Sequence, residues 1–246
     1  MARVAFVQEE LRDRFGVMML SASLKEHGHE REVFIHAADE NFLDDVKAFK
    51  PDIISFSTMT PGIDFAFKYV DVFKKNIDAL ILMGGPHPTF YPDVIEEVQG
   101  LDAICIGEGD GAILDVADAV DKGEDIYHIP NIWARDSDDA SKIYKNDLRP
   151  ICDISMQPEL DRELYYQKYP DLANAPTKKF FAGKGCPFDC TYCFNHSLKE
   201  LYKGKGKYTQ YRPVDSIIDE ILSINEKYGM KWMQIITDAV NIDRKW

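Results

Sequence analysis

The sequence predicts an α/β protein. Short apolar, β-prone runs alternate with amphipathic helical stretches over roughly the first half of the chain. A turn-rich stretch interrupts that alternation. It then resumes with two further strands and one long helix between them. Strands alternating with helices imply right-handed crossovers and a parallel sheet covered on both faces. Five such units in succession suit a flavodoxin-like, Rossmann-type doubly wound sheet of strand order 2-1-3-4-5.

Val4–Gln8 is the first expected strand. Phe15–His27 carries Val17, Leu20, Ala22 and Leu24 at helical spacing and stops at Gly28. Glu32–His36 reads as the second strand. Asn41 is placed to cap a helix over Phe42–Phe49, in which Leu43, Val46 and Phe49 recur every third residue. Asp52–Thr58 is the third strand, and Ile63–Lys75 a helix with Phe67, Val70 and Phe73 on one face. Ala79–Met83 and Ala103–Ile106 are the fourth and fifth strands, and Ala112–Val120 closes the series.

Composition narrows the function classes. The 246 residues suit one or two domains, and 45% hydrophobic with 29% charged residues is ordinary globular usage. No apolar run reaches the ~18 residues of a membrane span, and the acidic turn in MARVAFVQEELRD is unlike a signal peptide. The net charge of −13 repels nucleic acid and anionic membranes, which makes either a poor partner. Five cysteines, three of them within Cys186–Cys193, suit a reducing cytoplasm and a metal site better than a disulfide framework. Cys105, in an apolar run, reads as a small buried hydrophobe.

In a doubly wound sheet, ligands sit beyond the carboxyl ends of the strands. The unusual residues fall there. Strand three runs into Ser57, Thr58, Met59, Thr60, Pro61 and Gly62. Strand four runs into Gly84, Gly85, Pro86, His87, Pro88 and Thr89. Strand five runs into Gly107, Glu108 and Gly109. Glycines let the backbone approach a ligand closely, and hydroxyls and amides can bind phosphate or amide groups. Glycine and proline after strands also serve short turns, so His87 is a ligand contact or a turn histidine. No Gly-x-Gly-x-x-Gly follows the first strand, which argues against a nicotinamide dinucleotide.

Residues 131–176 break the pattern. Ile132–Arg135 and Lys142–Tyr144, around Asp136-Ser137-Asp138-Asp139, read as a β-hairpin. The rest reads as a connector whose Tyr165, Tyr166 and Tyr169 cover a neighbouring surface. The expected organisation is therefore a domain over 1–130, a hairpin and connector over 131–176, and a C-terminal portion over 177–246.

That portion starts with a strand, Lys178–Ala182, followed by Cys186-Pro-Phe-Asp-Cys190-Thr-Tyr-Cys193. Three thiolates on one tight loop suit zinc or an iron–sulfur cluster. With His196 they also suit a Cys3His zinc site. Three protein thiolates on a cubane leave one iron open to a substrate or cofactor. Pro213 precedes a helix over Val214–Tyr228 with Val214, Ile217, Ile218, Ile221 and Leu222 as its apolar stripe. Gly229 ends it, and Trp232–Ile236 is a strand with Thr237 and Asp238 at its carboxyl end.

The Cys-x3-Cys-x-aromatic-Cys spacing, with Tyr192 as the aromatic, resembles the signature of the radical S-adenosylmethionine enzymes. Preceded by this N-terminal half, with its Gly84–Thr89 and Gly107–Gly109 loops, the chain is similar to the cobalamin-binding subclass from Val4 to Trp246. The resemblance implies a 4Fe–4S cluster on Cys186, Cys190 and Cys193. S-adenosylmethionine would chelate the fourth iron, with Tyr192 near its adenine and Asp238 near its amino group. Reductive cleavage would give a 5′-deoxyadenosyl radical. Cobalamin would lie on the strand-end loops through Ser57, Thr58, Thr60, Gly84, Gly85, Pro86, His87, Thr89, Gly107, Glu108 and Gly109. It further implies a small-molecule substrate, a reducing partner such as flavodoxin or ferredoxin, and methyl transfer or a related rearrangement.

Three features depart from the family pattern. The 67 residues from Phe180 onward hold about two βα units at roughly 30 residues each. A TIM-like barrel is therefore expected to be incomplete, and the chain to be the front portion of a longer enzyme, inactive alone. Ala239 follows Asp238 where the family often has a second acidic residue, so Asp238 reads equally as a polar strand end. None of His27, His29, His36, His87, His128 or His196 lies in an Asp-x-His-x-x-Gly motif. Cobalamin is thus expected without a protein histidine on its lower face. The alternatives are a cobalamin-binding module without catalysis and a Cys3His zinc protein. Between Thr177 and Arg212, eight Lys or Arg stand against two acidic residues. The lysines of Lys203–Lys207 read as a solvated loop.

Overall fold

The computed structural model describes all residues from Met1 to Trp246. Apolar side chains on both faces of β1 (Arg3–Gln8) bury it from Val4 onward, as a central parallel strand requires. It lies between β2 (Glu30–Ile35) and β3 (Ile53–Ser57), with Val4 in register with Arg31 and Ile53. β4 (Leu80–Gly84) and β5 (Ala103–Cys105) continue the parallel sheet in the expected order 2-1-3-4-5. The strands begin and end within two residues of the expected limits.

The helices of this half are α1 (Phe15–Glu26), α2 (Phe42–Phe49), α3 (Ile63–Asn76), the short α4 (Pro86–Phe90) and α5 (Val94–Glu97), and α6 (Asp110–Lys122). Phe6, Phe34, Phe56 and Phe73 are fully buried between sheet and helices. Each contributes about 1.5–3 kcal/mol of burial.

Two local expectations are corrected. Asn41 makes no side-chain cap on α2. The turn before that helix is set instead by Asp39, whose carboxylate accepts the Ile35 N–H at 2.8 Å. Phe67 is only half-buried, because the ends of an i, i+3, i+6 triple sit about 120° apart around a helix. The core face of α3 is Ala66, Tyr69, Val70 and Phe73.

The expected hairpin forms as β6 (Ile132–Arg135) and β7 (Ile143–Lys145). β6 pairs antiparallel with β5, so the hairpin extends the sheet to seven strands. Residues 1–149 and 158–164 make one compact unit. The second segment is held by Asp161, a buried carboxylate that accepts from Ser21 Oγ at 2.6 Å and Arg31 Nη2 at 3.1 Å.

Residues 150–157 and 165–246 make the other unit. Its connector contains two short helices, α7 (Glu163–Tyr166) and α8 (Pro170–Ala173), and Tyr165, Tyr166 and Tyr169 are buried as expected. Then come β8 (Thr177–Phe181), the two-residue β9 (Gly183–Lys184), α9 (Phe194–Leu201), β10 (Gln210–Tyr211), α10 (Val214–Tyr228) and β11 (Trp232–Ile236). β11 pairs parallel with β8, Ile236 opposite Phe181, and α10 is the crossover between them. β9 and β10 form a short antiparallel ribbon that the sequence pattern did not reveal.

The apolar stripe read along α10 is only partly buried. Ile217, Glu220 and Ile224 face inward, while Val214, Ile218 and Leu222 are exposed. Arg212 accounts for this, because its guanidinium draws Glu220 inward at 2.6 Å while donating to the Phe181 carbonyl. Lys178 in β8 is buried as well. Its ammonium donates to the carbonyls of Leu172 and Ala173, at the end of α8, and lies 4.8 Å from the Tyr166 ring centre. No helix is long and apolar enough to cross a membrane.

Candidate functional site

The loops leaving β3, β4 and β5 are tied together at the carboxyl edge of the sheet. The Thr58 N–H donates to the Gly84 carbonyl at 2.8 Å, and the Thr58 carbonyl accepts from the His87 N–H at 3.0 Å. Thr89 Oγ1 donates to the Gly85 carbonyl at 2.8 Å and accepts from the Gly107 N–H at 3.0 Å. One hydroxyl thus joins the fourth loop to the fifth. Gly85 has φ +97°, and a Cβ there would stand 2.8 Å from both the N and the O of Thr58, so only glycine fits.

His87 is buried, with Nδ1 3.1 Å from Thr60 Oγ1 and the rings of Phe67 and Tyr91 beside it. Burial holds its pKa below the ordinary imidazole value, opposed by the Glu97 carboxylate. The ring therefore favours its neutral form. Its Nε2 is buried and has no hydrogen-bond partner. Such an orphaned polar atom suits a ligand group beside it. Glu108 and Gly109 lie half-buried in the fifth loop, and Pro86 is exposed. Cys105, below them, is buried, and burial pushes its thiol up to about 12.

The β1–α1 loop, which the glycine criterion passed over, belongs to the same edge. A cleft of about 240 Å³ is lined by Gln8, Arg12, Arg14, Ser57, Thr58 and Phe65, among others. Gln8 Nε2 pins this loop by donating to the carbonyls of Glu10 and Arg12, both at 2.7 Å. Arg14 Nη1 donates to the Ser57 carbonyl at 2.6 Å. The available signal was topological: with β1 beside β3, the sheet's switch point lies between their carboxyl ends. The cleft is smaller than the roughly 300–1,000 Å³ of a typical ligand pocket, a size that suits one part of a large cofactor.

In the other unit, β8 leads through β9 into the cysteine loop, and β10 returns after α9 to pair with β9. Gly183 and Gly185 pack where no side chain fits: a Cβ on Gly183 would lie 2.6 Å from the Gln210 carbonyl oxygen, and one on Gly185 would lie 2.3 Å from that of Tyr208. The Gly185 N–H donates to Asp238 Oδ2 at 2.7 Å, so the end of β11 fixes the chain immediately before Cys186. Inside the loop, the Cys193 N–H donates to the Cys190 carbonyl at 3.0 Å, and Cys193 directly precedes α9. From α9, Lys199 donates to the Pro187 carbonyl at 3.2 Å and pairs with Asp189. Lys199 and, less strongly, His196 hold the Asp189 carboxyl below the usual carboxylate range.

All five cysteines are free thiols. No three His, Cys, Asp or Glu side chains converge as a single metal ion requires, and His196 Nδ1 faces Asp189 Oδ1 at 3.4 Å. Three cysteines on one loop are a donor set that a cubane cluster can take at three of its corners. Tyr192 projects from this loop and is 91% exposed.

Residues 10–117 match the model of the B12 binding domain family. The chain is 24% identical over 237 residues to an uncharacterized methyltransferase of Pyrococcus horikoshii, covering 94% of this chain and 50% of that protein. It is 27% identical over 242 residues to the anaerobic magnesium-protoporphyrin IX monomethyl ester cyclase of Rubrivivax gelatinosus, covering 93% and 42%. Among solved structures, the cobalamin-dependent S-adenosylmethionine radical enzyme OxsB superposes with a TM-score of 0.75 at 19% identity, over 97% of this chain and 34% of that one. The radical S-adenosylmethionine methyltransferase TsrM of Kitasatospora setae gives a TM-score of 0.70 at 14% identity, over 96% and 48%. Residues 10–117 thus carry a B12 binding domain, and the chain as a whole is similar in fold to cobalamin-dependent radical S-adenosylmethionine enzymes. The chain spans half or less of the length of these relatives and structures.

Proposed function

We propose that this chain is the cofactor-binding portion of a cobalamin-dependent radical S-adenosylmethionine enzyme, of methyltransferase type, acting on a small molecule. One observation carries the reading. A B12 binding domain and a three-cysteine loop at the carboxyl end of a parallel βα pair occur in the same chain. Cys186, Cys190 and Cys193 would hold a 4Fe–4S cluster, and the loops of Ser57, Thr58, Thr60, Gly84, Gly85, Pro86, His87, Thr89, Gly107, Glu108 and Gly109 would hold cobalamin. When bound, the cluster supplies the electron for reductive cleavage of S-adenosylmethionine, and cobalamin a carrier for the methyl group.

The residues of the chain have binding and orienting parts. Asp238 orients the segment that delivers Cys186, and its other carboxylate oxygen is the group proposed to meet the S-adenosylmethionine amine. Tyr192 offers an aromatic face to the adenine. Thr89 holds two loops at one hydroxyl. The neutral His87, its ring held by Thr60 and two aromatic side chains, would offer its unpartnered Nε2 to an amide or phosphate of the cobalamin periphery.

Anaerobic reconstitution tests the reading. The full chain is expected to take up about four iron per molecule, to lose them on Cys190→Ala, and to bind one cobalamin. Its cluster spectrum should change when S-adenosylmethionine is added. Cobalamin uptake without iron would leave only the binding module, and zinc alone would restore the Cys3His reading.

A further inference from the structure

We infer that the basic loop Lys203-Gly-Lys-Gly-Lys207 is the docking surface for a small acidic electron-transfer protein that delivers the electron to the cluster. The inference rests on the reading of the three cysteines above.

Its first support is charge. Lys203, Lys205 and Lys207 place three cationic side chains within five residues, against Glu200 alone beside Lys203, in a chain whose net charge is −13; of the other basic residues between Thr177 and Arg212, Lys178 and Arg212 are buried and Lys199 is paired with Asp189. A solvated lysine tip needs no fixed backbone, yet this one is built. Gly204 and Gly206 have φ +76° and +126°, conformations that side-chain-bearing residues rarely adopt. A Cβ on Gly206 would stand 2.6 Å from Ile151 Cγ2. The Lys205 carbonyl accepts from the Ile151 N–H at 2.7 Å, and the Lys207 carbonyl from Gln210 Nε2 at 2.6 Å. The main chain is thus pinned from inside, while Lys203 and Lys207 stay exposed. Lys203 is 77% exposed, with Glu200 at 3.4 Å.

Its second support is position. Tyr208, the residue after Lys207, packs its carbonyl against Gly185, the residue before Cys186. Its hydroxyl donates to Asn195 Oδ1 of α9 at 2.5 Å, just beyond Cys193. The lysine loop and the sulfur loop therefore share one contact. A cationic patch beside an electron acceptor steers an anionic donor and raises its association rate. Redox encounters use small interfaces of this kind. In the step itself the donor protein is oxidised by one electron and the cluster reduced by one, and no bond forms or breaks.

The probe is flavodoxin, an acidic donor. Oxidised, isotope-labelled flavodoxin is titrated with the full chain and with K203Q/K205Q/K207Q, which keeps both glycines. Reduction of the reconstituted cluster by flavodoxin hydroquinone is followed in parallel, with titanium(III) citrate as the control reductant. The triple variant is expected to bind flavodoxin at least ~10-fold more weakly at low salt and to be reduced by it correspondingly slowly. Raising the salt should erase the difference, and reduction by the control should be unchanged. If iron is incorporated normally and the variant binds and accepts electrons like the unaltered chain, this docking surface alone is refuted. If no iron is taken up, the reading of the cysteines falls and the docking proposal with it.

Discussion

Asp238 Oδ2 accepts the backbone N–H of Gly185 at 2.7 Å, across 53 residues of sequence. A strand-end carboxylate thereby sets the direction in which the cysteine loop leaves the ribbon. Asp238→Ala would leave the buried Gly185 N–H without its acceptor, at a cost of about 1–3 kcal/mol. The expected result is a lowered thermal midpoint together with faster loss of iron from the reconstituted protein, read by the decay of cluster absorbance. Asn, which keeps an acceptor oxygen, should restore most of both. Equal iron retention in Ala and wild type would remove Asp238 from loop positioning.

Gly85→Ala should be costly for a different reason. The new Cβ would meet the Thr58 backbone at 2.8 Å, at a φ that disfavours it. Strain of this kind costs about 1–3 kcal/mol. Denaturant unfolding should show that loss, and cobalamin titration should show weaker uptake, because the third and fourth loops can no longer touch.

His87 makes stability depend on pH. Its folded pKa lies below its unfolded value, with burial the leading cause. As pH falls through the unfolded value near ~6.5, the unfolded chain takes up a proton that the folded chain resists. Stability therefore falls with acidification, and His87's contribution is intact above that pH. His87→Gln should flatten this part of the profile. Unfolding midpoints measured at several pH values between 5 and 8, for both proteins, give the comparison. Parallel profiles would contradict the assignment.

The thiols should separate by reactivity. Cys105, pushed up to about 12 by burial, holds almost no thiolate at neutral pH. Alkylation of the native apo-protein at pH 8, followed by peptide mass mapping, is expected to label the exposed Cys190 readily and to spare Cys105 until the protein unfolds.

Much of this architecture is legible in the residues themselves. The short apolar runs and the period-3.6 stretches from Val4 to Val120 define the five parallel strands and the helices between them, because burial on both faces demands consecutive apolar residues such as Ile53 and Ile54. The cysteine spacing is equally plain, since ligation fixes residue type and separation. What the pattern hides is set by single polar contacts between distant residues. Glu220 lies inside α10 because Arg212 holds it, and an apolar stripe carries no trace of that. Gln8 and Arg14 shape the β1–α1 loop through side-chain bonds to carbonyls, in a segment without the glycines that mark the other loops. The β9–β10 ribbon is too short for any periodicity. The hairpin of β6 and β7 is readable as a hairpin, but its place beside β5 depends on a pairing that no local pattern encodes.

The parallel pairing of β8 with β11 has a consequence for biogenesis. The Gly185 amide finds its carboxylate only after α10 has formed and the final strand has come back alongside its partner. Distant closures of this sort are slow compared with local turns. Sulfurs offered to an iron donor during synthesis would thus sit on a slack segment. On the proposed reading of the three cysteines, loading of a cluster is expected to follow the strand's return, since only then is the Gly185 amide held.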